Sequence, residues 1–256
     1  MTEPVATRAA APDLDRWASL APNAWLRYDV ISRLLPAGVE DVLEIGCGQG
    51  AVGARLAQRY RYTAVEPDPT SYAVARERFT RAGAGDVHNA GIEAVGDRRF
   101  DLVCAFEVLE HLEDDAGALK EWAGRLRPGG WVLLSMPANQ RRYGPWDELV
   151  GHFRRYEPES LTALLHRCGF TDVTIRLYGM PLGYALETVR NAVGRRRLAQ
   201  VAGKTVDERT AQSGRLLQPS GTKGVLTRWG TAPFRAAQRA FPGTGTGLVV
   251  RARLAA

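Results

Sequence analysis

The sequence is poor in the features that mark a disulfide-stapled, secreted or membrane-spanning chain. Three cysteines occur in 256 residues. Cys47, Cys104 and Cys168 stand too far apart for a Cys-x-x-Cys knuckle or a disulfide framework, so they read as small buried hydrophobes. No metal-ligand spacing is recognised, and none is expected. No apolar run approaches the ~20 residues of a spanning helix, and Met1 to Pro12 lacks the basic-then-apolar order of a secretory signal. A cytoplasmic protein is the expectation. Repeats and low-complexity tracts are also missing, which sets aside solenoid and linker architectures. What remains, 45% hydrophobic and 24% charged, suffices for one substantial core with an elaboration.

The net charge of +6 conceals an asymmetry. Residues 1–180 carry 21 Lys and Arg against 25 Asp and Glu, whereas residues 181–256 carry 13 against 3. Any acidic partner is therefore a matter for the C-terminal part.

From Asp41 the chain alternates short apolar runs with amphipathic stretches, the pattern of a parallel sheet covered by helices on both faces. Strands are expected at 41–45, 62–65, 86–89, 100–106, 131–136, 171–177 and 246–254. Helices are expected at 51–59, at 69–81 behind an Asp68 cap, at 115–126 with a stop at Arg127-Pro-Gly-Gly130, and at 158–168. Pro137 to Tyr156 has no periodic pattern and reads as a twenty-residue irregular loop, a length that is more often functional than decorative. Between the last two strands lies a long excursion in which Leu182, Leu186, Val189 and Val193 recur at helical spacing, most simply a packing stripe. Trp229, Phe234 and Phe241 follow, interspersed with Arg228, Arg235 and Arg239.

Gly46, Gly48, Gly50 and Gly53 stand where a buried strand turns into a helix, the place where backbone bends tightly and approaches a ligand. Alone, such a turn is a weak signal, and it also packs without a ligand. Glu44 sharpens it, because a carboxylate in an apolar strand is costly unless its charge is used, and it would repel a pyrophosphate. A cationic ligand fits better. Glu66, ending the next strand, is placed to accept hydrogen bonds from two ribose hydroxyls.

In succession, "VLEIGCGQG", "YTAVEPD", "FDLVCAFEVLEHLEDD" and "LRPGGWVLLSMP" resemble the motifs of the class I S-adenosylmethionine-dependent methyltransferases, a likeness that covers Val39 to Tyr178. It implies an α/β, Rossmann-like doubly wound sheet, mostly parallel with an antiparallel C-terminal strand, plus a helical lid or insertion. Its expected parts are an N-terminal helical cap (1–36), the core (37–178 with 246–256) and a basic lid (179–245). The resemblance implies S-adenosylmethionine as cofactor and S-adenosylhomocysteine as product. Glu44 and the backbone of Gly46, Cys47, Gly48 and Gly50 would hold its methionine end, Glu66 and Pro67 its ribose, and Gly91 and Ile92 its adenine. Here His88 and Asn89 fill the strand end where the family usually has an acid.

Phe106 and Glu107, after the fourth strand, line the cleft on the cofactor side. His111, in "VLEH", either touches substrate or anchors a loop. "DELVGHFRRYEPESLTALLHRCGF" is similar to a segment of small-molecule methyltransferases whose loop closes over the acceptor. Arg141, Tyr143, Trp146, Arg154 and Tyr156 are accordingly the candidate acceptor contacts. His152 is the first choice for a general base, since a neutral imidazole takes a hydroxyl proton near pH 7; orienting its own loop is the competing role. The expected reaction is methyl transfer to a small-molecule acceptor, with an acidic one as an option, in a biosynthetic pathway, through oxygen before nitrogen or carbon. Gly48-x-Gly50-x-x-Gly53 also spells a dinucleotide fingerprint, which Glu44 disfavours. A module that binds the cofactor without turnover is a third reading. For the basic segment, a lid over an acidic acceptor stands ahead of contact with an anionic membrane surface. Nucleic acid ranks last, for want of an RNA-binding module. Oligomeric state is not legible.

Overall fold

The computed structural model describes residues 19–198 and 223–255. Helix α1 (Pro22–Leu34) precedes β1 (Asp41–Ile45), α2 (Gly53–Leu56), β2 (Arg61–Val65), α3 (Pro69–Ala82), β3 (Asp86–His88) and β4 (Phe100–Phe106). There follow α4 (Asp115–Ala123), β5 (Leu126–Pro137), α5 (Pro145–Val150), α6 (Pro158–Arg167), β6 (Phe170–Gly179), α7 (Leu182–Arg197), α8 (Lys223–Arg239) and β7 (Gly245–Leu254). The strands form one sheet in the order β3-β2-β1-β4-β5-β7-β6. β1 to β5 run parallel, and β7 lies antiparallel between β5 and β6. The excursion from β6 to β7 thus leaves and re-enters neighbouring strands.

Both faces of the sheet are buried, which is why β1 and β4 read as continuous apolar runs. On one face Leu43, Val103, Val132 and Leu134 pack with Leu119 and Trp122 of α4 and Leu161 and Leu165 of α6. On the other, Val42, Ala64, Leu102 and Leu133 meet Leu26 and Ile31 of α1, Leu56 of α2 and Phe79 of α3. Glu44 belongs to this second face, in register with Ala64 and Cys104. The carboxyl ends of β1, β2, β4 and β5 therefore open together along one edge.

Four local expectations are corrected. α2 covers four residues, not 51–59, because the glycine turn occupies the chain as far as Val52, and Ala57 to Arg59 form a further turn. α4 stops at Ala123, and Arg127-Pro-Gly-Gly130 lies inside β5, where pairing to β4 slips between Phe100 and Leu102. The 137–156 loop is not irregular throughout. Gly144 as N-cap, Pro145 in the first turn and left-handed Gly151 as C-cap define α5, and the Asp147 carboxylate accepts from Gly144 N at 2.9 Å. Finally, the α7 stripe is a core stripe only in part, since Leu182 packs against the core while Val189 is 61% exposed. α7 docks also through Gly183, Glu187 and Gly194, and a side chain on Gly194 would strike the backbone of Pro145 and Trp146.

Helix α8 turns only part of its apolar side chains inward, Phe234 packing against the core. Leu226 and Trp229 are 74% and 72% exposed, while Thr231 and Gln238 are buried. Polar bonds explain the inward face. Gln238 donates to the Leu26 carbonyl at 2.9 Å and accepts from Gly179 N at 3.1 Å, and Thr227 donates to the Leu20 carbonyl at 3.1 Å. Of the cysteines, Cys104 and Cys168 are buried, but Cys47 is partly exposed because it lies on the glycine turn.

Candidate functional site

The glycine turn holds three left-handed residues, with φ of 65° at Gly46, 55° at Gly48 and 72° at Gly50. A Cβ on Gly46 would meet Val108 at 2.8 Å, and one on Gly50 would meet Phe79 at 2.9 Å. One on Gly48 would meet nothing within 4 Å, so there the turn faces open space. Glu66 ties this turn to the next strand end. It accepts from Gly48 N at 2.7 Å through one oxygen and from Asp68 N at 2.9 Å through the other. Burial raises its carboxyl above the ordinary range, and these two amides oppose the rise.

Glu44 is buried beneath the turn, where Tyr62 Oη donates to it at 2.9 Å and a side chain on Gly53 would collide with it. Burial pushes its carboxyl up to about 7; Glu66 adds to this, and the Tyr62 bond opposes it. Arg78 approaches the turn, but its guanidinium donates to the Gln49 carbonyl at 2.8 Å. Two carboxylates below a turn with open space suit a cation and repel a pyrophosphate. Burial also pushes the Cys47 thiol well above its usual value. Asn89 donates to the carbonyls of Glu66 (2.9 Å) and Pro67 (3.1 Å), which brings the ends of β2 and β3 together beside Gly91 and buried Ile92. Gly91 N donates to Glu93 at 2.9 Å.

After β4 the chain is strained at Glu107, a non-glycine residue with φ of 60°. Its side chain accepts from Ser135 Oγ at 3.1 Å and Tyr178 Oη at 3.3 Å, and pairs with Arg27 of α1 at 3.1 Å. Burial alone would lower the Arg27 guanidinium, but Glu107 and Tyr178 hold it above its usual value. Phe106, one residue earlier, points into the core on the α1 face.

The turn Leu109–His111 and the loop around α5 meet next to Glu107. Phe153 N donates to the Glu110 carbonyl at 2.8 Å, which lays the loop on the turn. His152 Nδ1 lies 2.7 Å from Asp147 Oδ1, and its ring stands edge-on to that of His111 with centroids 4.6 Å apart. Arg155 grips Asp147 through both carboxylate oxygens, with Nε at 3.0 Å from each, and also pairs with Glu187 of α7, which binds Arg142 as well. Burial would raise the Asp147 carboxyl, but His152 and Arg155 hold it at about 2. Burial, with His152 alongside, pushes the His111 imidazole down to about 3.

The candidate acceptor contacts divide. Tyr143 Oη donates to the His152 carbonyl at 2.7 Å, and Trp146 sits 5.8 Å from the Arg190 guanidinium across α5 and α7. Arg141 is exposed. Arg154 and buried Tyr156 both bond Asp115 at the start of α4, at 2.8 and 3.0 Å, and so anchor the loop. Sequence reasoning gives no role to Arg27 or Glu187; it places Glu110 in the cleft-lining run as a loop anchor or a catalytic group, and Asp147 and Arg155 only among the polar residues of the loop. The acid five residues before His152 is a faint signal, and the contacts of Arg27 and Glu187 leave none.

Residues 16–175 match the family model described as a methyltransferase domain. The chain belongs to this methyltransferase family. It is 35% identical over 171 residues to a "probable S-adenosylmethionine-dependent methyltransferase" of Mycobacterium tuberculosis, covering 64% of this chain and 60% of that one. With the ubiquinone biosynthesis O-methyltransferase of Paracidovorax citrulli it shares 32% identity over 116 residues, 43% of this chain and 49% of that one. The chain thus spans about three fifths of the length of the first curated relatives it matches. Among solved structures, a SAM-dependent methyltransferase of Thermotoga maritima, given as a possible histamine N-methyltransferase, superposes with a TM-score of 0.55 at 19% identity. That match covers 94% of this chain and 90% of the other, and it shows the same fold. The Rossmann-like sheet, the family and its cofactor, S-adenosylmethionine, agree with the expectation from the four motifs. Among the described residues, no helix is long and apolar enough to cross a membrane.

Proposed function

We propose that this methyltransferase transfers the methyl group of S-adenosylmethionine to a hydroxyl of a small-molecule acceptor. The observation that carries the reading is the acid-flanked glycine turn, where Glu66 grips Gly48 N at 2.7 Å and Glu44 lies buried beneath. Glu44 and the turn backbone would hold the methionine end, Glu66 the ribose, and Gly91 and Ile92 the adenine. When bound, S-adenosylmethionine supplies a methyl group on a positively charged sulfur. The chain's own residues then have to hold the acceptor in line and remove one proton.

His152 is suited to that proton. Asp147 can only accept, so Nδ1 of His152 donates to it and Nε2 presents its lone pair. Positioning supplies roughly 7–11 kcal/mol, while a general base adds ~10²- to 10⁴-fold. His152 is therefore an accelerator of a reaction that orientation already favours. The ubiquinone biosynthesis relative supports oxygen as the attacking atom. Calorimetry with S-adenosylhomocysteine and with NAD tests the cofactor, and transfer of labelled methyl to hydroxylated acceptors tests the reaction; binding of NAD alone would refute it.

A second reading of the acceptor's setting rests on α8. The outward apolar side chains of Leu226 and Trp229, in a basic C-terminal part, favour an acceptor presented at an anionic lipid surface. Co-sedimentation with phosphatidylglycerol vesicles, compared with phosphatidylcholine vesicles, separates this from a freely diffusing acceptor.

A further inference from the structure

We propose that Glu110, His111 and His152 form a binding site for one divalent transition-metal ion. Their candidate ligand atoms all lie within 4.8 Å of one another. His152 Nε2 is 3.9 Å from Glu110 Oε1, too long for a hydrogen bond. An interposed ion with bonds of about 2.0–2.2 Å to nitrogen and oxygen spans that gap.

The independent observation is Glu110 itself. Its carboxylate is fully buried, and neither oxygen has a hydrogen-bond partner. An isolated buried carboxylate is among the most costly groups a fold can carry, and a coordinated cation removes that cost. Neighbouring Glu107 is not in this position, because Arg27, Ser135 and Tyr178 satisfy it.

Around the three residues stands the outer layer that metal-bound imidazoles need. Asp147 fixes His152 with Nδ1–H outward and Nε2 toward Glu110, and Arg155 fixes Asp147. The His111 ring is hydrogen-bonded to the backbone of Gly151. Two imidazoles and one carboxylate suit zinc, iron or cobalt, whereas magnesium and calcium prefer all-oxygen sets. Cysteine spacing gives no sign of this site, because its ligands come from a turn after β4 and a loop forty residues later.

Three protein ligands leave a coordination position open, the arrangement of catalytic rather than structural sites. What the ion does there rests on the methyl-transfer reading above; that it binds does not. A bound ion would occupy the Nε2 lone pair, so the proton-accepting role given to His152 above belongs to the metal-free chain, and the ion would instead acidify the acceptor hydroxyl, whose proton would leave to water.

The test uses the full chain, stripped with EDTA and titrated with Zn²⁺, Co²⁺ and Mg²⁺ by calorimetry. Expected are one equivalent of Zn²⁺ or Co²⁺, Mg²⁺ binding at least a hundredfold weaker, and a Co²⁺ absorption spectrum distinct from that of the aqua ion. Glu110→Gln and His152→Ala should each weaken Zn²⁺ at least tenfold with an unchanged circular dichroism spectrum. An aqua-ion Co²⁺ spectrum in the wild-type chain overturns the proposal whether or not the variants fold, and so does Zn²⁺ affinity unchanged in folded Glu110→Gln. S-adenosylhomocysteine is titrated in parallel. Binding of it without metal refutes the ion site alone, and binding of metal without it refutes the methyl-transfer reading alone.

Discussion

Replacing Glu44 by Gln tests whether the glycine turn stands over a carboxyl kept from water. In the folded chain burial moves this group from 4.5 to about 7. Below pH 4.5 it is protonated whether the chain is folded or unfolded and contributes no pH dependence. Between 4.5 and 7 the unfolded chain releases the proton and the folded chain retains it, so stability falls as pH rises. At about 1.4 kcal/mol per pH unit, the loss reaches roughly 3 kcal/mol once pH exceeds both values. The Gln side chain keeps the shape and can still accept from Tyr62, but it does not ionise.

The assay is urea denaturation followed by tryptophan fluorescence at intervals from pH 4.5 to 8.5. Wild type and Glu44→Gln should have similar stability at the acid end and separate upward, the variant being roughly 3 kcal/mol more stable at pH 8. Titrating groups that do not interact with Glu44 cancel in the difference. A bound cation favours the ionised carboxyl, so S-adenosylmethionine should bind wild type more tightly as pH rises through 7, and the variant should lack that rise. Parallel stability curves for the two chains would refute the reasoning, for they would mean that Glu44 ionises in the fold as readily as in water.

Other substitutions separate the cofactor end from the reactive edge. His152→Ala should lower turnover by ~10²- to 10⁴-fold and leave calorimetric affinity for S-adenosylhomocysteine nearly unchanged. Gly48→Ala adds a side chain into open space but strains a φ of 55°, so thermal melting should show a loss of ~1–2 kcal/mol together with weaker cofactor binding. Asp147→Asn leaves buried Arg155 without one of its carboxylates and should destabilise by roughly 3 kcal/mol in the same melting assay.

Elements set by local chemistry were legible. α3 begins at the residue its Asp68 cap and Pro69 indicate, since the Asp68 carboxylate accepts from Ser71 N at 2.8 Å. β4 is the apolar run itself because both of its faces are covered. Elements decided by distant partners were not. Arg127-Pro-Gly-Gly130 spells a helix stop, yet a slip in pairing lets β5 absorb it, with Arg127 held by Asp41 at 2.8 Å. α5 is too short to show a period, and its start and end are set by Gly144 and Gly151. The α7 stripe misled because Glu187, the one acid on that helix, found two buried or half-buried arginines, and ion pairs rather than Val189 chose the docked face. At the site, the turn with Glu44 and Glu66 could be read because its parts belong to consecutive strand ends. Arg27 meets Glu107 from eighty residues away, a contact that no spacing announces.

The same contrast divides the molecule by function. The cofactor end is built from strand ends whose positions follow from the register of β1 with β2 and β4, so it is as rigid as the sheet. The reactive edge hangs on a relay of charges. Glu187 on α7 holds Arg155, Arg155 holds Asp147, and Asp147 holds His152. α7 belongs to the excursion between β6 and β7, so a helix outside the sheet sets the orientation of the imidazole proposed to meet the acceptor. A chain with the same sheet and a different excursion would keep its cofactor and present a different reactive edge. On that reading, exchanging α7 alters the reactive edge and leaves the glycine turn undisturbed, because no link of the relay touches Glu44, Glu66 or the turn backbone.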